Sequence, residues 1–205
     1  MKAEKLKSKI GLFLIMAGVL LIIGAAGYVG YNEYVAWQAG LAAEEVLDAM
    51  PEIPEEDTAV AAPEYLMYQD RDMPVMEING RYYIGVLEIP SRSLKLPVLS
   101  EWSYSGLKIA PCRYSGSLYR RDLVIAGHNY RKHFTGIKSL QPGDDIYFTD
   151  AEGHRFPLKV TGGQVIRPYD VEGMINDDNN TWDMTLFTCT SGGSARYALR
   201  CRLDY

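Results

Sequence analysis

Residues Ile10 to Tyr31, IGLFLIMAGVLLIIGAAGYVGY, form an unbroken run without a charged side chain. A helix needs about 20 apolar residues to cross the hydrocarbon core of a bilayer, and this run supplies them. A cleaved secretory signal is the competing reading, since lysines precede the run and Gly24, Ala25 and Ala26 are small. The apolar part of such a signal is only about 7 to 15 residues long, so an uncleaved transmembrane helix over 10–31 is expected. Lys2, Lys5, Lys7 and Lys9 lie before the run, and residues 10–70 contain no Lys or Arg. Positive residues stay in the cytoplasm, so residues 1–9 form a cytoplasmic tail and the rest of the chain lies outside.

Residues 32–73 read as a connector. Asn32 to Met50 is rich in Ala, Leu and Glu with apolar residues at helical spacing, which predicts a juxtamembrane helix. Pro51 to Pro63 then carries three prolines and four acids, a composition that ends a helix and resists collapse into a core. An acidic, extended stalk is expected there. The net charge of -5 hides this asymmetry, and the remainder of the chain lacks the clustered cations of a nucleic-acid-binding surface. Three cysteines, Cys112, Cys189 and Cys201, contain no CxxC pair, so neither a disulfide framework nor a zinc site is signalled.

From Pro74 to Tyr205 the pattern changes to short β-prone runs separated by Gly, Pro, Asp and Ser. Eight strands are predicted at 81–89, 94–99, 123–126, 145–149, 154–160, 164–167, 185–188 and 196–204, which favours a closed barrel with few helices. DDIYFTD and HRFPLKV around Ala151-Glu152-Gly153 form the clearest hairpin. In the last strand Tyr197, Leu199, Cys201 and Leu203 share one face, and Arg196, Ala198, Arg200 and Arg202 share the other. Cys201 is therefore assigned to the core, and Cys112 to a structural role. His133 and His154 have no motif around them and are read as surface residues.

Two segments carry chemistry. Thr185-Leu186-Phe187-Thr188-Cys189 ends a strand and opens into a Gly-rich loop followed by Arg196, which places a thiol at a barrel rim near a cation. Leu123-Val124-Ile125-Ala126-Gly127-His128-Asn129 ends a second strand on an imidazole. Thiol, imidazole and guanidinium together supply a nucleophile, a proton carrier and a fixed positive charge for an oxyanion, the set that acyl transfer requires.

TLFTC followed by an arginine, with AGHN some sixty residues earlier, resembles the sortase family of Gram-positive cysteine transpeptidases over about Ile84 to Leu203. The resemblance implies a mainly β fold, an eight-stranded sortase-type barrel behind a transmembrane helix, with a catalytic domain at 74–205. It implies cleavage of an LPxTG-like sorting signal through a thioacyl-enzyme, and transfer to an amine of the cell wall or of another protein. Carried over by position, Cys189 matches the nucleophile, His128 the catalytic histidine, Arg196 the catalytic arginine, and Thr188 a residue lining the substrate groove. The Cys189 to Arg196 interval is short for the family, and Arg200 and Arg202 share the face of Arg196, which is favoured as nearest the strand end. The class within the family stays open. No cofactor is expected: Asp144-Asp145 and Asp177-Asp178 could be weighed as calcium ligands but read as turn residues and solvated charges. The rival readings are another cell-wall thiol enzyme and a non-catalytic, membrane-tethered binding module. Against the first, no histidine follows Cys189 as papain-type order requires, and Ser191-Gly192-Gly193-Ser194 lacks the cysteine of an SxGC motif.

Overall fold

The structure is a computed structural model that describes residues 2–51, 68, 70–175, 181–190 and 192–205. The acidic stalk over 52–67, Asp177-Asp178 and Ser191 lie outside the described residues. The chain divides into two units, one ending at Gln38 and the other spanning Ala39–Tyr205. A single helix, α1 (Lys2–Ala49), contributes to both. Its first part is long and apolar enough to cross a membrane. Its last turns belong to the second unit and are amphipathic: Ala39, Ala43 and Val46 are buried at helical spacing, while Glu44 and Glu45 face out. Helix-favouring residues carry it to Ala49, and Pro51, which has no N–H to donate, follows the end.

Beyond the linker the described residues build nine strands: β1 (Met76–Ile78), β2 (Arg81–Ile89), β3 (Leu94–Leu99), β4 (Cys112–Ser115), β5 (Leu123–Ala126), β6 (Asp145–Asp150), β7 (Arg155–Ile166), β8 (Met184–Cys189) and β9 (Arg196–Leu203). They hydrogen-bond in the order β1-β2-β3-β4-β5-β8-β9-β7-β6, and β6 returns to β2. That pairing closes β2–β9 into an eight-stranded barrel of mixed direction, with β1 as an antiparallel appendage on β2. Closure leaves the barrel strands without an unpaired edge. The β3–β4 and β5–β8 pairs are parallel, so each needs a crossover connection rather than a tight turn.

Two expectations shift in detail. The predicted runs 154–160 and 164–167 are one strand, β7, whose pairing with β9 slips between Val160 and Gly162. A bulge with Gly162 at φ 157° lets the strand bend without ending. The eighth barrel strand is instead β4, a four-residue run around Cys112 that slips at Arg113/Ser115.

Alternation along the strands sorts the side chains into two apolar groups. Leu123, Ile125, Met184, Leu186, Leu199 and Cys201 point into the barrel with Phe148 and Phe156. Val124, Ala126, Phe187 and Ala198 point outward and are covered by Leu107, Ile166 and Met174. The second group matters for function because it lies on the outer face of β5, β8 and β9. The β6–β7 hairpin is tied by the buried Asp150 carboxylate. It accepts the Glu152 and His154 N–H groups at 2.9 and 3.0 Å and the Tyr119 hydroxyl at 2.6 Å.

Candidate active site

β5 and β8 run parallel with Leu123 beside Met184 and Ala126 beside Phe187. The Gly127 N–H donates to the Phe187 carbonyl at 3.0 Å, which carries the pairing one step past the end of β5. The same register sets His128 level with Cys189. On the other side of β8, the antiparallel partner of Cys189 is Arg196. Three neighbouring strand ends thus carry His128, Cys189 and Arg196 in that order, each about 5 Å from the next in backbone spacing. The Thr190 N–H donates to the Ala195 carbonyl at 3.0 Å. Since hydrogen-bonded and non-bonded pairs alternate, Cys189 and Arg196 form the closer, non-bonded type of pair, with side chains adjacent.

Gly127 is required at this point by packing. A Cβ there would lie 2.6 Å from Cγ and 2.8 Å from Cε2 of Phe134, whose ring is fully buried against the backbone. The Phe134 N–H in turn donates to the His128 carbonyl at 3.1 Å. His128 stacks on Tyr130 with ring centroids 4.6 Å apart and planes 27° apart. Desolvation, with the nearby Lys108 ammonium adding to it, holds its imidazole below the usual histidine value. The ring is therefore mostly neutral at neutral pH.

Cys189 is part-exposed at the end of β8, whereas Cys112 and Cys201 are buried. Burial pushes the Cys112 thiol up to about 11 and the Cys201 thiol higher still, so neither is ionised near neutrality. The candidate arginines separate as well. Arg200 is buried, donates to Thr185 Oγ1 at 3.0 Å and to the Gly173 carbonyl, and lies over the Trp182 ring at 4.4 Å. It clamps the 3₁₀ turn Glu172–Met174 onto the outer face of β8 and β9. Among the described residues, Arg196 donates to the carbonyls of its own turn, Gly193 and Ala195, each at 3.2 Å.

Two expectations need correction. Thr188 is 1% exposed, and its neighbours of like parity, Leu186 and Met184, point into the barrel. Strand alternation puts it inside the barrel, on the face opposite Cys189, so it does not share the outer face that carries the thiol. His133 is fully buried in the loop after His128 rather than at the surface. Sequence reasoning also passed over Tyr130 and Lys108. The aromatic two places after His128 was a signal for the first, and nothing local marked the second.

Below the three strand ends, Val124, Ala126, Phe187 and Ala198 are packed on the outer face and buried under Leu107, Ile166 and Met174. Among the described residues, no three His, Cys, Asp or Glu side chains converge as a metal site. Asp144 accepts the Gln141 N–H at 2.9 Å, and Asp145 pairs with Lys159.

A closed barrel that brings a thiol, an imidazole and a guanidinium to one edge is the layout of an acyl-transferring thiol enzyme. The family model described as the sortase domain matches residues 87–204. The chain belongs to the sortase family, whose members are cysteine transpeptidases. Solved sortases share the fold. The Clostridium perfringens sortase D5 transpeptidase superposes with a TM-score of 0.57 at 19% identity, covering 80% of this chain and 96% of that one. Sortase A from Corynebacterium diphtheriae gives 0.54 at 21%, covering 84% and 83%. Sortase C1 of GBS pilus island 1 gives 0.53 at 22%, covering 60% of this chain and 64% of that chain's length. Among curated proteins none matches.

Proposed function

We propose that the protein is a membrane-anchored sortase that cleaves an LPxTG-like sorting signal and joins the released carbonyl to an amine of the cell wall or of a second protein. The observation that carries this reading is the strand register, which sets His128 and Arg196 on either side of Cys189. Neutral His128 takes the Cys189 proton as sulfur attacks the scissile carbonyl carbon. The negative charge that develops on the carbonyl oxygen falls to Arg196, whose guanidinium leaves the Gly193 and Ala195 carbonyls to reach it. Collapse of the tetrahedral species breaks the C–N bond, and the imidazolium returns its proton to the departing amine. A thioester to Cys189 remains. The incoming amine then attacks the thioester carbon, His128 accepts its proton, and the proton returns to sulfur as the new amide leaves.

Because the thiol, imidazole and guanidinium supply every group the reaction uses, turnover is expected without a cofactor. The lysines before residue 10 and the uncharged run after them support a cytoplasmic tail over 1–9, a span over 10–31 and an extracellular catalytic domain over 74–205, joined by the 32–73 connector. The test is to incubate the full chain in detergent with sorting-signal peptides and a panel of amines, with and without EDTA, and to read products by mass. Cleaved and amine-joined peptides are expected from the wild type in both conditions, and none from Cys189→Ala. Turnover by Cys189→Ala would remove the thiol from the chemistry.

A further inference from the structure

His133 takes no part in the thiol chemistry, yet it is fully buried beside the site. Among the described residues neither ring nitrogen reaches hydrogen-bond geometry, although the Ala39 carbonyl lies close enough to favour the charged form. A neutral imidazole always carries one N–H, so burying it unpaired is costly and calls for a compensating role. Its surroundings supply one. The ring lies 5.6 Å from that of Tyr130, which also stacks on the His128 ring at 4.6 Å. The loop folds on itself: the His133 and Thr135 N–H groups both donate to the Tyr130 carbonyl, at 3.0 and 3.2 Å.

The last turns of α1 cover this loop. Ala39 and Ala43 are each 2% exposed, and Glu44 forms an ion pair with Lys132, next to His133. Gly40 marks the closest approach. A Cβ there would overlap Lys132 Cδ and lie 3.1 Å from its Cγ. The contact therefore runs from the Ala39–Glu44 face to Lys132 and His133, from His133 to Tyr130, and from Tyr130 to His128.

We propose that the end of α1, Ala39–Ala49, is a positioning element of the active site: it seats His133, His133 backs Tyr130, and Tyr130 holds the His128 imidazole at the end of β5. His133 and Tyr130 are positioning residues, since neither lies on the three strand ends. The proposal rests on the assignment of His128 as the proton carrier. Among the described residues, the charged and titratable groups around the His128 ring are Cys189 and Arg196 on the neighbouring strand ends, Lys108, Tyr130 and His133, with Lys132 and Glu44 beyond them.

The experiment follows the His128 imidazole by NMR in the full chain, alongside peptide turnover, in Gly40→Leu, His133→Ala and His133→Phe. Gly40→Leu wedges the helix off the loop, and His133→Ala removes the ring behind Tyr130. Both should raise the His128 titration midpoint toward its ordinary value as water enters. They should also lower kcat about tenfold with KM little changed, the scale of a small misplacement of a reacting group. His133→Phe restores an aromatic wall and should keep the wild-type midpoint and kcat. If Gly40→Leu does not fold, Glu44→Lys should shift the midpoint the same way, and adding Lys132→Glu should restore it. An unchanged midpoint and kcat in Gly40→Leu and His133→Ala would overturn the proposal. The titration needs no substrate, so a wild type that ignores every sorting-signal peptide would refute the proposed substrate and leave this test standing.

Discussion

Burial of His133 makes the barrel acid-sensitive in a way that one substitution removes. Desolvation, with His128 beside it, lowers its imidazole to about 4, against about 6.5 in an unfolded chain. A depressed value means that the unfolded state binds the proton first. The stability that neutral His133 contributes is complete above about pH 6.5 and is lost as pH falls toward 4. Linkage between these two values gives a loss of about 1.2 kcal/mol by pH 5.5 and about 3 kcal/mol by pH 4, relative to pH 7. For a domain of this size that corresponds to roughly 6 to 12 °C in melting temperature. His133→Phe keeps a ring in the same space and cannot titrate. Carboxylates elsewhere titrate in both proteins alike, so the difference between the two melting curves across pH isolates His133. The gap in melting temperature should swing by that amount in favour of the variant between pH 7 and pH 4, with about half of the swing by pH 5.5. Parallel pH profiles for wild type and variant would show that His133 is solvated or stably paired, and the reasoning from its burial would fail.

The two arginines should part company in a single set of assays. Arg196→Ala should slow acylation of Cys189 by about a hundredfold, and Arg196→Lys should recover only part, because an ammonium lacks the planar fork. Arg200→Ala should leave acylation largely intact at low temperature while costing about 1–3 kcal/mol of stability, since the Gly173 carbonyl loses its Arg200 donor and Thr185 Oγ1 keeps only the Trp182 indole N–H. A severe acylation defect at Arg200 with a mild one at Arg196 would move the site one step along β9. Gly127→Ala should drive Phe134 from its seat at a cost of about 1–3 kcal/mol, read by urea unfolding, and Phe134→Leu in the same chain should return part of it.

Much of this protein is written locally. The uncharged run over 10–31, the strands at 81–89, 94–99 and 123–126, and the hairpin around Gly153 depend on hydropathy and turn chemistry within a few residues, and those strand limits coincide with β2, β3 and β5. The placement of Cys189 and His128 at strand ends was legible because each follows an apolar β-prone run. Other features arise only when distant segments meet. β4 is too short to announce itself, and it exists as a strand because β3 and β5 pair with it. β7 hides a bulge that reads in sequence as a break, since a Gly pair looks the same whether a strand bends or stops. The identity of the neighbour of Cys189 is a matter of register: three arginines share one face of β9, and the antiparallel pairing selects Arg196 while Trp182 and Gly173 claim Arg200. Burial of His133 is likewise decided by a helix some ninety residues upstream, because desolvation depends on everything packed around a group and not on its neighbours in sequence.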